Sequence, residues 1–195
     1  MNYDQDVFTH QYSIVDGFVY HLTYYRLLRK GYVDRGLHNR FWHMTIEAHL
    51  FAATISWCMV FGSHGCNQTH WKKLSLNEQE ALTRSFRDGL FEETGLNEER
   101  WQQYWKSVTG FRDKFVAHRE LDFSDPVPDF DTALIVAYYY DKWVRQIISP
   151  ATLAEPPLKL FAMSQRDLVA PLVDKLLSVT EEITLADIQA AIKIG

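Results

Sequence analysis

The sequence predicts an all-α fold, an up-and-down bundle of four to five long helices with additional C-terminal helices. Apolar residues recur at alternating steps of three and four along long segments, and no run shows the strict alternation typical of strands. Loop-forming residues fall mainly between these segments. A chain of 195 residues with 47% hydrophobic content can bury one large core, so we expect a single globular bundle.

The first two helices are predicted from their apolar periodicity and from the glycines that follow them. The first covers about Asp6–Lys30 and is expected to end at Gly31. Its stripe contains Phe8, Tyr12, Val15, Val19, Leu22 and Arg26. The second covers about Asn39–Phe61 and ends at Gly62. Its shared face contains Phe41, Thr45, Ala48, Ala52, Ile55 and Met59. The apolar run Leu50–Phe61 is about half the ~20 residues of a membrane span, so it is predicted to be a buried core helix.

Capping residues predict three more helices. Asn77 and Glu80 form a capping pair for the third helix, whose apolar face carries Leu82, Phe86 and Leu90. Asn97 suits the start of the fourth helix, and Asp129 or Asp131 suits the start of the fifth. These helices complete the expected bundle.

The C-terminal region is predicted to be a separate appendage. Residues 150–163 contain the pair Pro156-Pro157 and are expected to form an extended link. The predicted boundary divides a bundle over residues 1–150 from a helical appendage over residues 151–195, packed on the bundle or on a partner subunit. Ser164 then suits the start of a sixth helix, and Thr184 that of a short seventh.

Composition narrows the cellular setting and the class of ligand. A net charge of −5 argues against nonspecific binding to long duplexes, which needs many basic contacts, and leaves short or structured RNA as a ligand. Two cysteines, Cys58 and Cys66, are too few to staple a secreted domain of this size. The N-terminus lacks the pattern of a signal peptide. We therefore expect a cytoplasmic protein with no membrane contact.

The fourth predicted helix carries Arg112, Asp113 and His118, the candidate catalytic residues. Arginine offers a fixed fork of donors for phosphate oxygens, and histidine is the side chain that exchanges protons near neutral pH. From residue 100 to residue 119, five basic residues stand against one acidic residue, which predicts a local basic patch. The candidate RNA-binding residues of this patch are Lys106, Lys114 and Arg119.

A purely structural interpretation of the motif is also open. His118 is the last member of a row with the spacing of a buried stripe, formed by Trp101, Tyr104, Val108, Phe111, Phe115 and His118. On a regular helix Arg112 and His118 are separated by about 120°. Asp113 alternatively belongs to a surface ion pair with Arg112, Lys106 or Lys114.

The motif Arg112–His118, together with Val60–Ser63 and His70–Leu74, resembles the HEPN superfamily, in particular the HEPN-like proteins associated with phage abortive infection. The resemblance covers about residues 1–150. It implies a bundle, often a homodimer with one composite cleft, that cleaves RNA without metal or other cofactor. It also implies that Arg112 and His118 are the catalytic pair with Asp113 as the polar residue after the arginine, and that RNA and an antitoxin protein are partners.

An alternative function within the same resemblance is a catalytically inactive module. Many active family members carry Asn or His where Asp113 stands, and some HEPN proteins bind without cleaving. Such a module would bind a protein, a nucleotide or a nucleic acid through the basic patch.

Two other clusters carry weaker signals. Zinc chemistry is the rival to the Arg/His motif, because thiolate and imidazole ligands suit zinc and four such residues fall in one window, namely Cys58, His64, Cys66 and His70. Their spacing matches no tight ligand pair, so we assign no metal site. The run Tyr138–Tyr140 with Trp143 offers either base-stacking surfaces or core contacts, and the second is favoured.

Overall fold

The computed structural model describes residues 3–74, 77–118, 120–147 and 156–182. Within these ranges the chain forms α1 (Gln5–Asp34), α2 (Arg40–Phe61), α3 (Gln79–Thr94), α4 (Glu98–Phe111), α5 (Phe130–Ile147) and α6 (Leu158–Glu182). A 3-10 turn at Trp71–Lys73 lies before α3, and a π-helical turn at Arg112–Ala117 continues α4. The prediction of an all-α helical bundle is confirmed.

Local capping explains most of the helix starts. Asn97 accepts a hydrogen bond from the backbone N–H three residues later, and Asp129 accepts one from the N–H two residues later. Both predicted starts are confirmed. The predicted cap at Asn77 is wrong, because α3 begins after Glu78 and has no side-chain cap.

α1 and α6 approach each other closely at Gly31. The predicted helix end at Gly31 is wrong, because α1 continues to Asp34 and Gly36 takes the left-handed φ of 59° beyond it. A Cβ atom added at Gly31 would lie 2.5 Å from the Leu177 Cδ1 atom of α6. Gly31 therefore serves helix packing rather than helix termination, which no local pattern in α1 indicates.

The core between the helices is rich in aromatic side chains. The predicted stripe of α1 is buried at Phe8, Val15, Val19 and Leu22, and the predicted face of α3 is buried at Leu82, Phe86 and Leu90. Tyr139, Tyr140 and Trp143 of α5 are also buried, so the core interpretation of that aromatic run is confirmed. Inside the core, the Tyr140 hydroxyl donates to Gln11 Oε1, and Gln11 Nε2 donates to the His70 carbonyl. These bonds join α5 and α1 to the loop before α3.

The apolar face predicted for α2 points to solvent. Phe41, Ile55 and Met59 are 67%, 44% and 41% exposed. The buried face instead contains Ile46, Leu50, Ala53, Thr54, Trp57, Cys58, Val60 and Phe61. α2 is apolar on both faces, so periodicity alone selects the wrong one.

The length and composition of α2 also meet the requirements for crossing a membrane. Its most apolar window has a mean hydropathy of 1.4, and 44% of that window is buried within the bundle. Core helices of soluble proteins have the same composition, so this feature is weak support for a membrane span.

α6 begins earlier than predicted and packs on α1. Its first residue is Leu158 rather than Ser164, so the extended link predicted through residue 163 is wrong over residues 158–163. The buried Asp141 carboxylate accepts hydrogen bonds from the Leu158 backbone N–H and from Arg145 Nε, which anchors the start of α6 on α5. The contact with α1 and α2 joins Leu28, Ile46, Val173 and Leu177.

Two C-terminal predictions are not addressed by the described ranges. The seventh helix expected at Thr184 and residues 150–155 of the expected link lie outside them. The division of the chain at residue 150 stays a prediction.

Candidate functional site

The motif lies on a π-helical turn that ends α4. The α-helical hydrogen-bond pattern continues to Phe111, and residues Arg112–Ala117 then form the wider turn. The His118 backbone N–H donates to the Asp113 carbonyl at 3.1 Å, a bond over five residues that closes this turn. His118 itself has φ −128° and ψ 118°, so the chain leaves the helix at this residue. Turns of this kind occur frequently at functional sites.

The change of helix type places His118 in solvent. The alternative structural interpretation, in which His118 ends a buried row, is wrong because its side chain is exposed. The row is buried at Val108 and Phe111, half-buried at Phe115, and then ends. Within the described ranges, the His118 imidazole has no hydrogen bond or ion pair. The spacing rule fails here because it assumes a regular α-helix to the end of the motif.

Arg112 is oriented by the residue that follows it. Arg112 Nε donates to Asp113 Oδ1 at 2.7 Å, and Nη2 lies 2.6 Å from the same oxygen in an ion pair. The Arg112 side chain is 26% exposed and that of Asp113 is 56% exposed. A guanidinium carries five N–H donors, so the pair leaves donors for a further oxyanion. Asp113 thus forms the ion pair with Arg112 that the sequence offered as one alternative.

Asp113 is the link between the two other candidate residues. Its carboxylate holds the Arg112 side chain, and its carbonyl accepts from the His118 backbone. Among the residues described, no hydrogen bond joins the Arg112 guanidinium to the His118 imidazole. The single chain therefore presents both groups on one turn without direct contact between them.

The predicted basic patch is only partly visible. Lys106 is exposed and has no ion pair within the described part of the chain. Lys114 Nζ lies 4.0 Å from Glu120 Oε2, so part of its charge is compensated. Arg119 lies outside the described residues. The assignment of these three residues to RNA binding stays a prediction.

The π-helical turn packs on α2 through aromatic contacts. The Phe115 ring meets Phe51 of α2 edge to face at 5.7 Å between centroids and stacks on Phe111 at 5.1 Å. Nearby, burial raises the pKa of the Cys58 thiol to about 12, and the Arg112 charge opposes this rise only in part. Cys58 is therefore a protonated core thiol. No group of three His, Cys, Asp or Glu residues is placed to hold a metal ion within the described ranges.

A second polar region is a cavity between the end of α2, the 3-10 turn, α3 and α4. This His64 cavity has a volume of about 190 Å³, and its lining includes the polar side chains His64, His70, Lys72, Arg87 and Gln102. Trp71 and Trp105 supply indole surface to the same lining. Trp105 Nε1 donates to the Phe61 carbonyl at 2.9 Å, which fixes α4 against the end of α2.

The histidines of the His64 cavity are held neutral. Burial, aided by His64 and Lys72, lowers the pKa of His70 to about 3. Burial and the charges of Lys73 and Lys72 also lower the pKa of His64. The two imidazole centroids lie 4.9 Å apart, and His70 Nδ1 accepts a hydrogen bond from the Lys72 backbone N–H. His64 Nε2 is buried without a hydrogen-bond partner in the described structure.

Sequence reasoning did not identify the His64 cavity as a functional site. Its polar residues come from four separate segments, and residues such as Lys72, Arg87 and Gln102 have no recurrent spacing. Two signals touched its residues: the zinc window that includes His64 and His70, and the segment His70–Leu74, which contributed to the family resemblance. Tertiary packing, not a motif, brings these groups together.

Comparison of the chain with protein-family models, with curated proteins and with solved structures found no match. The choice of a function therefore depends on the geometry of the motif turn and of the His64 cavity, together with the resemblance of the motif.

Proposed function

We propose that this protein is a metal-independent endoribonuclease of toxin or antiphage type in which Arg112 and His118 cleave RNA. The observation that carries the proposal is the π-helical turn, which presents an exposed imidazole and an arginine oriented by Asp113. The similarity of this motif to the HEPN superfamily supports the same chemistry. An exposed imidazole is accessible to a substrate, whereas one sealed in the core would not be.

The reaction needs no nucleophile from the protein. The ribose 2′-hydroxyl attacks the adjacent phosphorus, the bond to the 5′-oxygen breaks, and the products are a 2′,3′-cyclic phosphate and a 5′-hydroxyl. His118 accepts the proton of the 2′-hydroxyl or donates one to the leaving oxygen, a role worth about 10²–10⁴ in rate. Arg112 stabilises the charge that develops on the phosphorane oxygens.

Asp113 is a positioning residue in this mechanism. It accepts a hydrogen bond from Arg112 Nε and forms an ion pair with Nη2, which fixes the plane of the guanidinium and leaves further donors for a phosphate. Its carbonyl also closes the turn that carries His118. Asp113 thus orients the Arg112 guanidinium and fixes the backbone position of His118.

We further propose that the active form is a homodimer with a composite cleft. Exposed apolar residues follow one face of α2. The helix also contacts the motif turn, through the rings of Phe51 and Phe115. This stripe contains Phe41, Met44, Ile55 and Met59. A second copy seated on the stripe would cover apolar surface and bring a second motif turn nearby, so that two imidazoles supply the base and the acid.

The partners follow from the same proposal. RNA is the substrate, and Lys106, Lys114 and Arg119 contact its phosphates. An antitoxin protein restrains the activity in the cell. Two free thiols, one buried at Cys58 and one exposed at Cys66, suit the reducing cytoplasm.

Cleavage of mixed cellular RNA in the presence of a chelator tests the proposal. We expect wild-type protein to release fragments with 2′,3′-cyclic phosphate ends, and we expect His118→Ala and Arg112→Ala to reduce the rate by at least about 100-fold. The matched control is Arg166→Ala, because Arg166 Nε and Nη2 bind Asp167 Oδ1 in the same neighbouring geometry, on α6. Gel analysis and end labelling give rate and product.

The control separates catalysis from the loss of a surface ion pair. Arg166→Ala should retain the wild-type rate, since an exposed pair contributes little to stability. Wild-type activity in His118→Ala would remove the proposed mechanism.

The inactive binding module is the second candidate function. The Asp113 carboxylate compensates the Arg112 charge, and in the described structure the two catalytic candidates do not touch. Both observations suit a surface that binds without cleaving. RNA that binds saturably to wild-type protein and remains intact would favour this function.

A further inference from the structure

We propose that the His64 cavity is a binding site for the phosphate group of a nucleotide, distinct from the motif turn. Two cations, Lys72 and Arg87, line it together with His64, whose buried Nε2 atom lacks a hydrogen-bond partner in the described structure. This inference concerns binding alone and does not depend on the proposed ribonuclease activity.

Lys72 and Arg87 stand at the cavity without an ion-pair partner among the described residues. Burial and the positive charge of Arg87 lower the pKa of Lys72, so the two cations lie close enough to repel each other. No Asp or Glu of the described ranges lines the cavity. Two cations beside a cavity whose described lining has no carboxylate favour the entry of an anion.

The walls of the cavity also have hydrogen-bonding capacity. His64 Nε2 is buried and unpaired in the described structure, and an unsatisfied buried polar atom costs about 1–3 kcal/mol. The lowered pKa of His64 keeps its ring neutral, so the ring holds one N–H donor, which a turn of the side chain would direct to a phosphate oxygen. The Gln102 amide lies in the same lining and provides a further donor and acceptor.

The volume of the cavity suits a phosphate group. A cavity of about 190 Å³ fits a phosphate but is smaller than the pockets of about 300–1,000 Å³ that hold whole small-molecule ligands. A groove of about 680 Å³ shares His64, Lys72 and Arg87 with the cavity. The groove also contains Glu80, Asp88 and Glu98, so we place the anion inside the cavity and the uncharged sugar and base outside it.

The nucleotide is either free or part of an RNA strand. Trp105 of α4 lines the cavity and lies seven residues before Arg112, the first residue of the π-helical turn. At 100° and 1.5 Å per residue, these positions lie on nearly the same helix face and about 10 Å apart along its axis. A strand of a few nucleotides spans this distance, so one RNA could contact both regions.

Calorimetric titration of the full chain with AMP, adenosine, inorganic phosphate and a 2′-O-methyl RNA octamer tests the site. The octamer cannot be cleaved through its 2′-oxygen. We expect saturable binding of AMP or the octamer, with adenosine and inorganic phosphate each weaker by about tenfold or more. Binding of AMP identifies a free nucleotide as the ligand, whereas binding of the octamer alone identifies a strand phosphate.

Arg87→Gln and Arg29→Gln form a matched pair for the same titration. Both arginines are exposed on helices, but only Arg87 lines the cavity. We expect Arg87→Gln to weaken binding by about tenfold or more and Arg29→Gln to leave it unchanged. Thermal melting verifies that both variants fold.

Three results would overturn the proposal. They are absence of saturable binding by both nucleotide probes, equal binding by Arg87→Gln and Arg29→Gln, and binding of inorganic phosphate as tight as that of the nucleotide probe. A protein that binds AMP but does not cleave RNA would contradict the proposed function and leave this inference intact.

Discussion

The motif turn and the His64 cavity use the same residue types in opposite environments. At the motif turn, Arg112 is paired with a carboxylate and His118 is exposed to water. In the cavity, Lys72 and Arg87 have no ion-pair partner among the described residues, and His70 is buried with a pKa of about 3. A histidine in water can exchange protons with a substrate, whereas a neutral buried histidine serves as a fixed hydrogen-bonding group. The difference separates a candidate site for chemistry from a candidate site for binding.

The two regions also differ in how they are built. The motif turn depends on residues close together in the sequence. The Asp113 carboxylate accepts from Arg112, and its carbonyl accepts from the His118 backbone N–H. The cavity depends on four segments that meet only in the folded bundle. We therefore expect substitutions at the motif turn to change RNA cleavage with little effect on stability. Substitutions inside the cavity should change both ligand binding and stability.

The largest expected effect concerns the dimer proposed for the motif turn. Ile55→Asp places a charge in the exposed apolar stripe of α2, so we expect it to dissociate the dimer and reduce RNA cleavage by about 100-fold. AMP binding at the His64 cavity should be unchanged. Analytical ultracentrifugation measures the dimer, gel analysis measures RNA cleavage and calorimetric titration measures AMP binding. The control Val33→Asp alters an exposed valine of α1 outside the stripe, and full cleavage by a monomeric Ile55→Asp protein would contradict the composite cleft.

A smaller effect is expected on the free energy of unfolding when His70 of the cavity or His118 of the motif turn is replaced by alanine. His70→Ala removes the acceptor of the Lys72 backbone N–H and the ring packed against His64 and Trp71. We expect the free energy of unfolding to fall by about 1–3 kcal/mol. The exposed His118→Ala change should alter it by no more than about 0.5 kcal/mol. Urea denaturation provides both values, and equal losses would remove the distinction between the regions.

The smallest expected effect is the response of stability to pH. The pKa values of His64 and His70 lie below the value of about 6.5 expected in the unfolded chain. As the pH falls, the unfolded state therefore binds more protons than the folded state does. The stability that the neutral histidines contribute is present above about pH 6.5 and is lost towards lower pH. The His21–His49 pair, with Nδ1 atoms 3.0 Å apart and both pKa values lowered by burial, acts in the same direction.

Urea midpoints at pH 7.5, 6 and 5 provide the measurement for this response. The decline should be shallower in His70→Ala, which lacks the group with the lowest pKa of these histidines. A midpoint that rises on acidification between pH 7.5 and pH 5 would contradict the assignment of these histidines as neutral buried groups.

Local chemistry was sufficient to predict much of the fold. Asn97 caps α4 and Gly62 ends α2, because both effects depend on hydrogen bonds within a few residues. The buried faces of α1 and α3 were predicted from periodicity, since each of these helices has one apolar side. The motif residues were also found by spacing along a single helix.

The errors occur where more than one arrangement satisfies the local pattern. α2 has two apolar faces, and only its neighbours decide which is covered. Gly31 looks like a helix end until the Leu177 side chain of α6 is present. His118 continues a buried row in an ideal α-helix, but the π-helical turn moves it into water.

By itself, the sequence determined the all-α class, most of the helix boundaries and the position of the Arg112–His118 motif, because these depend on interactions between residues close in the chain. The tertiary structure decided which face of α2 is exposed, where α6 packs and that Lys72 and Arg87 meet at a cavity beside His64. Such contacts join residues distant in sequence. Their geometry depends on how whole helices fit together, which periodicity does not encode.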